Sequence, residues 1–171
     1  LAARGISTPE QALALLHGST EQLWHPFELK DMDKAVSRIH RALEHGELIA
    51  VYGDYDVDGI TATCLLTDFL TRQDGRVIPY IPDRMGEGYG LNAEAIACLK
   101  EQGVSLIVTV DCGITAVDEV LLASKLGIDV VITDHHECKD PLPNALAVVD
   151  PHRPDCSYPF PHLAGVGGAL K

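Results

Sequence analysis

The chain has 171 residues, enough for one domain of ordinary size and too few for two. At 46% hydrophobic and 22% charged it can build a buried core, which excludes a disordered tail, a collagen-like repeat and a disulfide scaffold. Thirteen basic against 25 acidic residues give a net charge of −12, which argues against holding nucleic acid by a broad basic surface and leaves solubility or metal binding as uses for the acids.

Thr8-Pro9-Glu10 opens a short helix that Gly18 follows. Asp31 opens a second, with Met32, Val36, Ile39 and Leu43 on one helical face and Gly46 at its close. Residues 1–46 therefore read as a helical lead-in. Leu48 to Tyr52 is a continuous apolar strand, Asp54 to Gly59 is polar, and a helix runs from about Ile60 to Thr71. Arg76 to Ile81 is a second strand, placed at or near an edge because Pro79 removes a ladder donor. Asn92 caps a helix to Gln102, and Val104 to Val110 is the third strand. A helix from about Thr115 to Leu126, a fourth strand Ile128 to Thr133 and a fifth Ala145 to Val149 follow. Six of the ten prolines lie between Pro141 and Pro161, so the final stretch reads as mostly irregular.

Apolar strands alternating with helices imply an α/β fold, a doubly wound and mainly parallel five-stranded sheet over residues 47–171. No apolar run is long enough to cross a membrane. The five cysteines form no C-x-x-C pair, which excludes a zinc knuckle or disulfide framework and suits a reducing cytoplasm. Leu1 to Gly5 already reads as the inside of a folded protein, so the chain is expected to be part of a longer one.

Open parallel sheets bind ligands beyond the carboxyl ends of their strands. There the chain offers Asp54-Tyr55-Asp56-Val57-Asp58-Gly59, then Asp111-Cys112-Gly113, Asp134-His135-His136-Glu137 and Asp150-Pro151-His152. Helix capping accounts for a single Asp but not for three at alternate positions, nor for a His pair. Carboxylates this close repel, and a cation is the simplest remedy. Oxygen-rich ligands with His suit Mg²⁺ or Mn²⁺, and two such ions can clamp the oxygens of a phosphoester. Asp54 to Gly59 also matches the opening of an EF-hand loop, but the twelfth position would be Leu65 instead of Glu. A phosphoryl-accepting receiver module would carry Lys where Asp150 stands.

Val51 to Gly59, Asp111-Cys112-Gly113-Ile114 and Thr133 to Glu137 resemble successive motifs of the DHH phosphoesterase superfamily. Tyr80 to Arg84, Glu87 to Asn92 and Leu163 to Gly167 resemble the RecJ family within it, single-strand-specific 5′→3′ DNA exonucleases. The resemblance implies a two-metal hydrolase of DNA repair and recombination, with Mn²⁺ or Mg²⁺ held by Asp54, Asp56, Asp58, Asp111 and His135. It implies that Asp111 is shared between the ions, that His136 faces the scissile phosphate and that Asp134 orients the His pair. Single-stranded DNA is the implied partner, with other DNA-repair proteins and no membrane. A further metal-binding Asp and a second domain that helps grip DNA are expected beyond Lys171, so this stretch alone should be inactive or weakly active. Gly168-Ala169-Leu170 departs from the family, which more often continues with a bulky apolar residue and an aromatic. Arg84, Gly88 and Gly90, before the Asn92-capped helix, are candidate phosphate contacts, as are Gly165, Gly167 and Gly168. A DHH-type oligoribonuclease, a nucleotide phosphatase or a non-enzymatic replication scaffold are the alternatives.

Overall fold

The computed structural model describes residues 1–19, 23–83, 88 and 90–171. Five strands, β1 (Leu48–Gly53), β2 (Arg76–Tyr80), β3 (Val104–Val110), β4 (Asp129–Thr133) and β5 (Ala147–Val149), form one sheet in the order β2-β1-β3-β4-β5. Every pairing is parallel. Pro79 sits on the edge strand β2, opposite Val51, where its missing donor costs the ladder least.

The helices are α1 (Pro9–Leu16), α2 (Met32–Glu44), α3 (Val57–Arg72), α4 (Ala93–Glu101), α5 (Val117–Lys125) and α6 (Gly165–Leu170). The period of two along each strand splits the core into two layers. Ala50, Tyr52, Ile107, Ile132 and Val148 face a cluster with α4 and α5. Ile49, Val51, Val108, Val131 and Val149 face the other, with α2 and α3. Both faces are covered, which is why the strands are apolar throughout rather than alternating. Among the described residues no helix is long and apolar enough to cross a membrane.

Three expectations need correction. Helix α3 begins at Val57, three residues before the expected start, because Asp56 caps it: the Asp56 side chain accepts from the Gly59 N–H at 2.9 Å. The expected inward face of α2 is also rotated. Met32, Ala35, Arg38 and Ala42 are its buried residues, whereas Val36 is 42% exposed. The small Ala35 and Ala42 bring the helix close to the sheet, and Arg38 enters because it has ionic partners. The final stretch is mostly irregular as expected, but it ends in α6, which was not expected; its Gly-Val-Gly-Gly sequence hid the helix, since glycine is a poor helix former.

Arg38 pins the amino end of the sheet. Its guanidinium lies 2.6 Å from Glu47 Oε2 and 2.7 Å from Asp129 Oδ2, and the Ser105 hydroxyl donates to the same Glu47 oxygen at 2.7 Å. One cation thus joins α2 to residues at the start of β1, β3 and β4. Arg38 is buried, whereas Glu47 is 22% and Asp129 51% exposed, so water compensates part of what its removal would cost. Arg38→Ala should cost about 2–3 kcal/mol in chemical denaturation while leaving the opposite end of the sheet intact.

Candidate metal centre

The strand order reverses between β1 and β3, which both connect to elements on opposite sides, and a doubly wound sheet opens a crevice there. The loop after β1 and the first turn of α3 deliver Asp54, Asp56 and Asp58 to this crevice, and the end of β3 delivers Asp111. The end of β4 adds Asp134, His135 and His136.

Ligand atoms of Asp54, Asp56 and Asp111 all lie within 4.8 Å of one another, and so do those of Asp111, His135 and His136. Asp111 belongs to both groups. It is 1% exposed and adopts a left-handed backbone with φ 61°, a conformation unfavourable for a residue with a Cβ. Its own N–H donates to the Thr133 carbonyl at 3.1 Å, tying the strained residue to β4. The buried Asp111 Oδ1 takes part in no well-aligned hydrogen bond; His135 Nε2 stands 2.9 Å from it.

Asp58 has a different environment. Its Oδ2 accepts from the Gly165 N–H and its Oδ1 from the Val166 N–H, both at 2.7 Å. Its Oδ2 is 3.5 Å from His135 Nε2. The imidazole of His135 therefore spans Asp58 and Asp111.

Asp134 works behind the His pair. Its Oδ1 accepts from the backbone N–H groups of His135 and His136, at 2.7 and 3.2 Å, and lies 2.7 Å from His136 Nδ1. Its Oδ2 accepts from the Ile114 N–H at 2.9 Å. For the contact with Asp134 the His136 Nδ1 carries a proton, which fixes the ring. Burial opposes the charged form of His136, but the Asp134 hydrogen bond and charge outweigh it and raise its pKa.

Burial, and then the charges of Asp58 and Asp56, push the Asp111 carboxyl up to about 7. The N–H of Gly59 holds Asp56 below the usual carboxylate range. Burial and the neighbouring acids thus favour the neutral form of one carboxyl, as expected where acids converge without a compensating cation. The oxygen-rich donor set with one or two imidazoles and the unsatisfied buried oxygen of Asp111 fit a hard divalent cation.

The capping reading rejected for the acids as a set is true of Asp56 taken singly. Gly165 does not offer its N–H outward to a phosphate, because Asp58 accepts it. Gly88 and Gly90 both have left-handed backbones, φ 80° and 79°, and the Gly90 carbonyl accepts from the Tyr52 hydroxyl at 2.9 Å. Arg84 lies outside the described residues. Sequence reasoning missed the part played by Gly165 and Val166, since backbone donors leave no side-chain signature. It placed Asp150 at the end of the fifth strand but gave it no role; Asp150 is 0% exposed and is raised by burial to about 6.

Fold and site together define a doubly wound α/β domain whose acid–imidazole cluster occupies the switch point of the sheet. The chain belongs to the DHH family: the family's N-terminal domain matches residues 48–171. It is 48% identical over 171 residues to the single-stranded-DNA-specific exonuclease RecJ of Bacillus subtilis (strain 168), covering 100% of this chain and 22% of the relative. The protein of the same name from Escherichia coli (strain K12) is 38% identical over 170 residues, covering 99% of this chain and 29% of the relative. This chain therefore spans under a third of either relative. A crystal structure of exonuclease RecJ bound to manganese superposes with a TM-score of 0.76 at 34% identity, covering 86% of this chain and 37% of the other. RecJ from Thermus thermophilus in complex with Mn²⁺ gives 0.70 at 31% identity, covering 98% and 24%. The parallel α/β architecture expected from apolar strands alternating with helices is the one observed.

The raised Asp111 carboxyl has a consequence for metal binding. The folded chain keeps a proton on Asp111 that the unfolded chain releases near the ordinary aspartate value. Its contribution to metal-free stability is therefore full in acid and is lost as pH rises through about 7. A cation must displace that proton. Mn²⁺ should raise the melting midpoint at pH 8 and bind about tenfold more weakly at pH 6, by calorimetric titration at both values.

Proposed function

We propose that the chain is the metal-binding part of a phosphodiesterase that degrades single-stranded DNA from its 5′ end. The observation that carries this reading is the position of Asp111 in both ligand groups, as a carboxylate bridging two cations requires. In this reading Asp54, Asp56 and Asp111 would hold one divalent cation, and Asp111 and His135, with Asp58 Oδ2 3.5 Å from the same imidazole, would hold the other. Bound there, Mn²⁺ or Mg²⁺ would neutralise charge on the phosphodiester and make water more acidic.

The protein's own groups supply the rest. Asp134 fixes the ring of His136, whose Nε2 would donate to a non-bridging phosphate oxygen as charge develops there. The names of the RecJ relatives and the manganese in their structures support both the substrate and the metal. Residues 47–171 form a DHH core short of its last metal-binding Asp, residues 1–46 are a helical lead-in, and a second domain of the longer protein supplies most of the DNA grip. Arg84, Gly88 and Gly90 are proposed to meet the phosphate backbone. The five free cysteines fit a reducing cytoplasm, and repair of DNA is the context.

In the natural full-length protein, a 5′-labelled single strand should lose its label as mononucleotides, with blunt duplex surviving much longer. Release of label only after trimming from the 3′ end would move the reading to another DHH activity. Asp111→Ala should abolish Mn²⁺ binding and cleavage together. His136→Ala should retain Mn²⁺ yet slow single-turnover cleavage about a hundredfold or more. Near-normal cleavage by a folded His136→Ala would remove that residue from the chemistry.

A further inference from the structure

Gly165 stands against both acids that face His135. Its N–H and that of Val166 occupy one oxygen each of Asp58, at 2.7 Å. A Cβ on Gly165 would lie 2.5 Å from Asp111 Oδ1, 2.6 Å from its Cβ and 2.7 Å from its Cγ. These are distances real Cβ atoms do not reach, and the obstructing atoms belong to a buried side chain on a strained backbone. The turn cannot retreat without breaking the two bonds to Asp58.

We propose that the Gly165–Val166 turn is a positioning element of the metal centre, setting the separation of Asp58 and Asp111 from the far end of the chain. The proposal rests on the two-metal reading above and deepens it. Two N–H donors fix the rotamer of Asp58 and leave its remaining lone pairs directed at His135. The bare Cα of Gly165 fills the space beside Asp111 without moving it. Because both N–H groups are spent on a carboxylate, this turn does not grip the DNA backbone. Gly168, on the same helix, gives its N–H to the Ala164 carbonyl at 3.1 Å and so is no phosphate contact; it has nothing within 4 Å of a Cβ position and is the internal control.

The test is Mn²⁺ affinity, by electron paramagnetic resonance of the free ion, on the natural full-length protein and three variants. Partners that orient metal ligands are worth about 10–100-fold in affinity. Gly165→Ala should lose about that much, keep its KM for single-stranded DNA and recover cleavage as Mn²⁺ is raised. Gly168→Ala should match the wild type. Val166→Pro removes one donor to Asp58 and leaves Gly165 in place, and proline is tolerated in a first helical turn. It should weaken Mn²⁺ several-fold, and it decides the matter if Gly165→Ala does not fold. A folded Gly165→Ala with wild-type Mn²⁺ affinity overturns the proposal, as does a raised KM for DNA with unchanged metal affinity. Failure of the wild type itself to bind Mn²⁺ overturns the two-metal reading as well, which separates the two failures.

Discussion

Mutual repulsion among carboxylates brought to one crevice is the constraint from which the other features of this chain follow. Asp111 sits beside Asp56 and Asp58, buried and with a left-handed backbone, and it cannot ionise freely there. Every surrounding device manages charge. Gly59 gives an N–H to Asp56, Gly165 and Val166 give theirs to Asp58, and His135 stands between Asp58 and Asp111. Asp134 has its charge fully spent on donors: three backbone N–H groups and an imidazole. It is accordingly suited to hold other groups in place rather than to bind an ion.

The opposite end of the sheet handles charge in the reverse way. There a single buried cation, Arg38, collects Glu47 and Asp129. The acids have their counter-ion built in, so that end is a structural clamp. At the carboxyl ends of the strands no Lys or Arg is paired with Asp56, Asp58 or Asp111 among the described residues. The contrast between the two ends, in one molecule with one acidic composition, separates acids that support the fold from acids gathered for a ligand.

Most of the fold was readable because its strands are apolar on both faces and its helices carry ordinary caps, as at Asn92. The acids and imidazoles could be placed together because a parallel sheet sends all its strand ends to one edge. Three things were not readable. Val36 carries the right residue type at the right spacing, yet small residues at 35 and 42 decide which side of α2 meets the sheet. Helix α6 is built from residues with poor intrinsic preference and is held by tertiary bonds, Gly165 and Val166 to Asp58. And the glycines there read as phosphate-binding candidates because a sequence shows that a backbone is accessible, not which acceptor takes its N–H.

The bonds from Asp58 to Gly165 and Val166 close loops of 107 and 108 residues. Asp58 thus receives its backbone donors from residues synthesised after the whole sheet. A nascent chain that has emerged only as far as β5 already exposes Asp54, Asp56, Asp58, Asp111 and the His pair, but Asp58 lacks both of its backbone donors. Loop closure over such a distance is slow compared with the packing of neighbouring strands and helices. Ordering of Asp58 therefore waits on the segment that follows the sheet, and not on the packing of the strands alone.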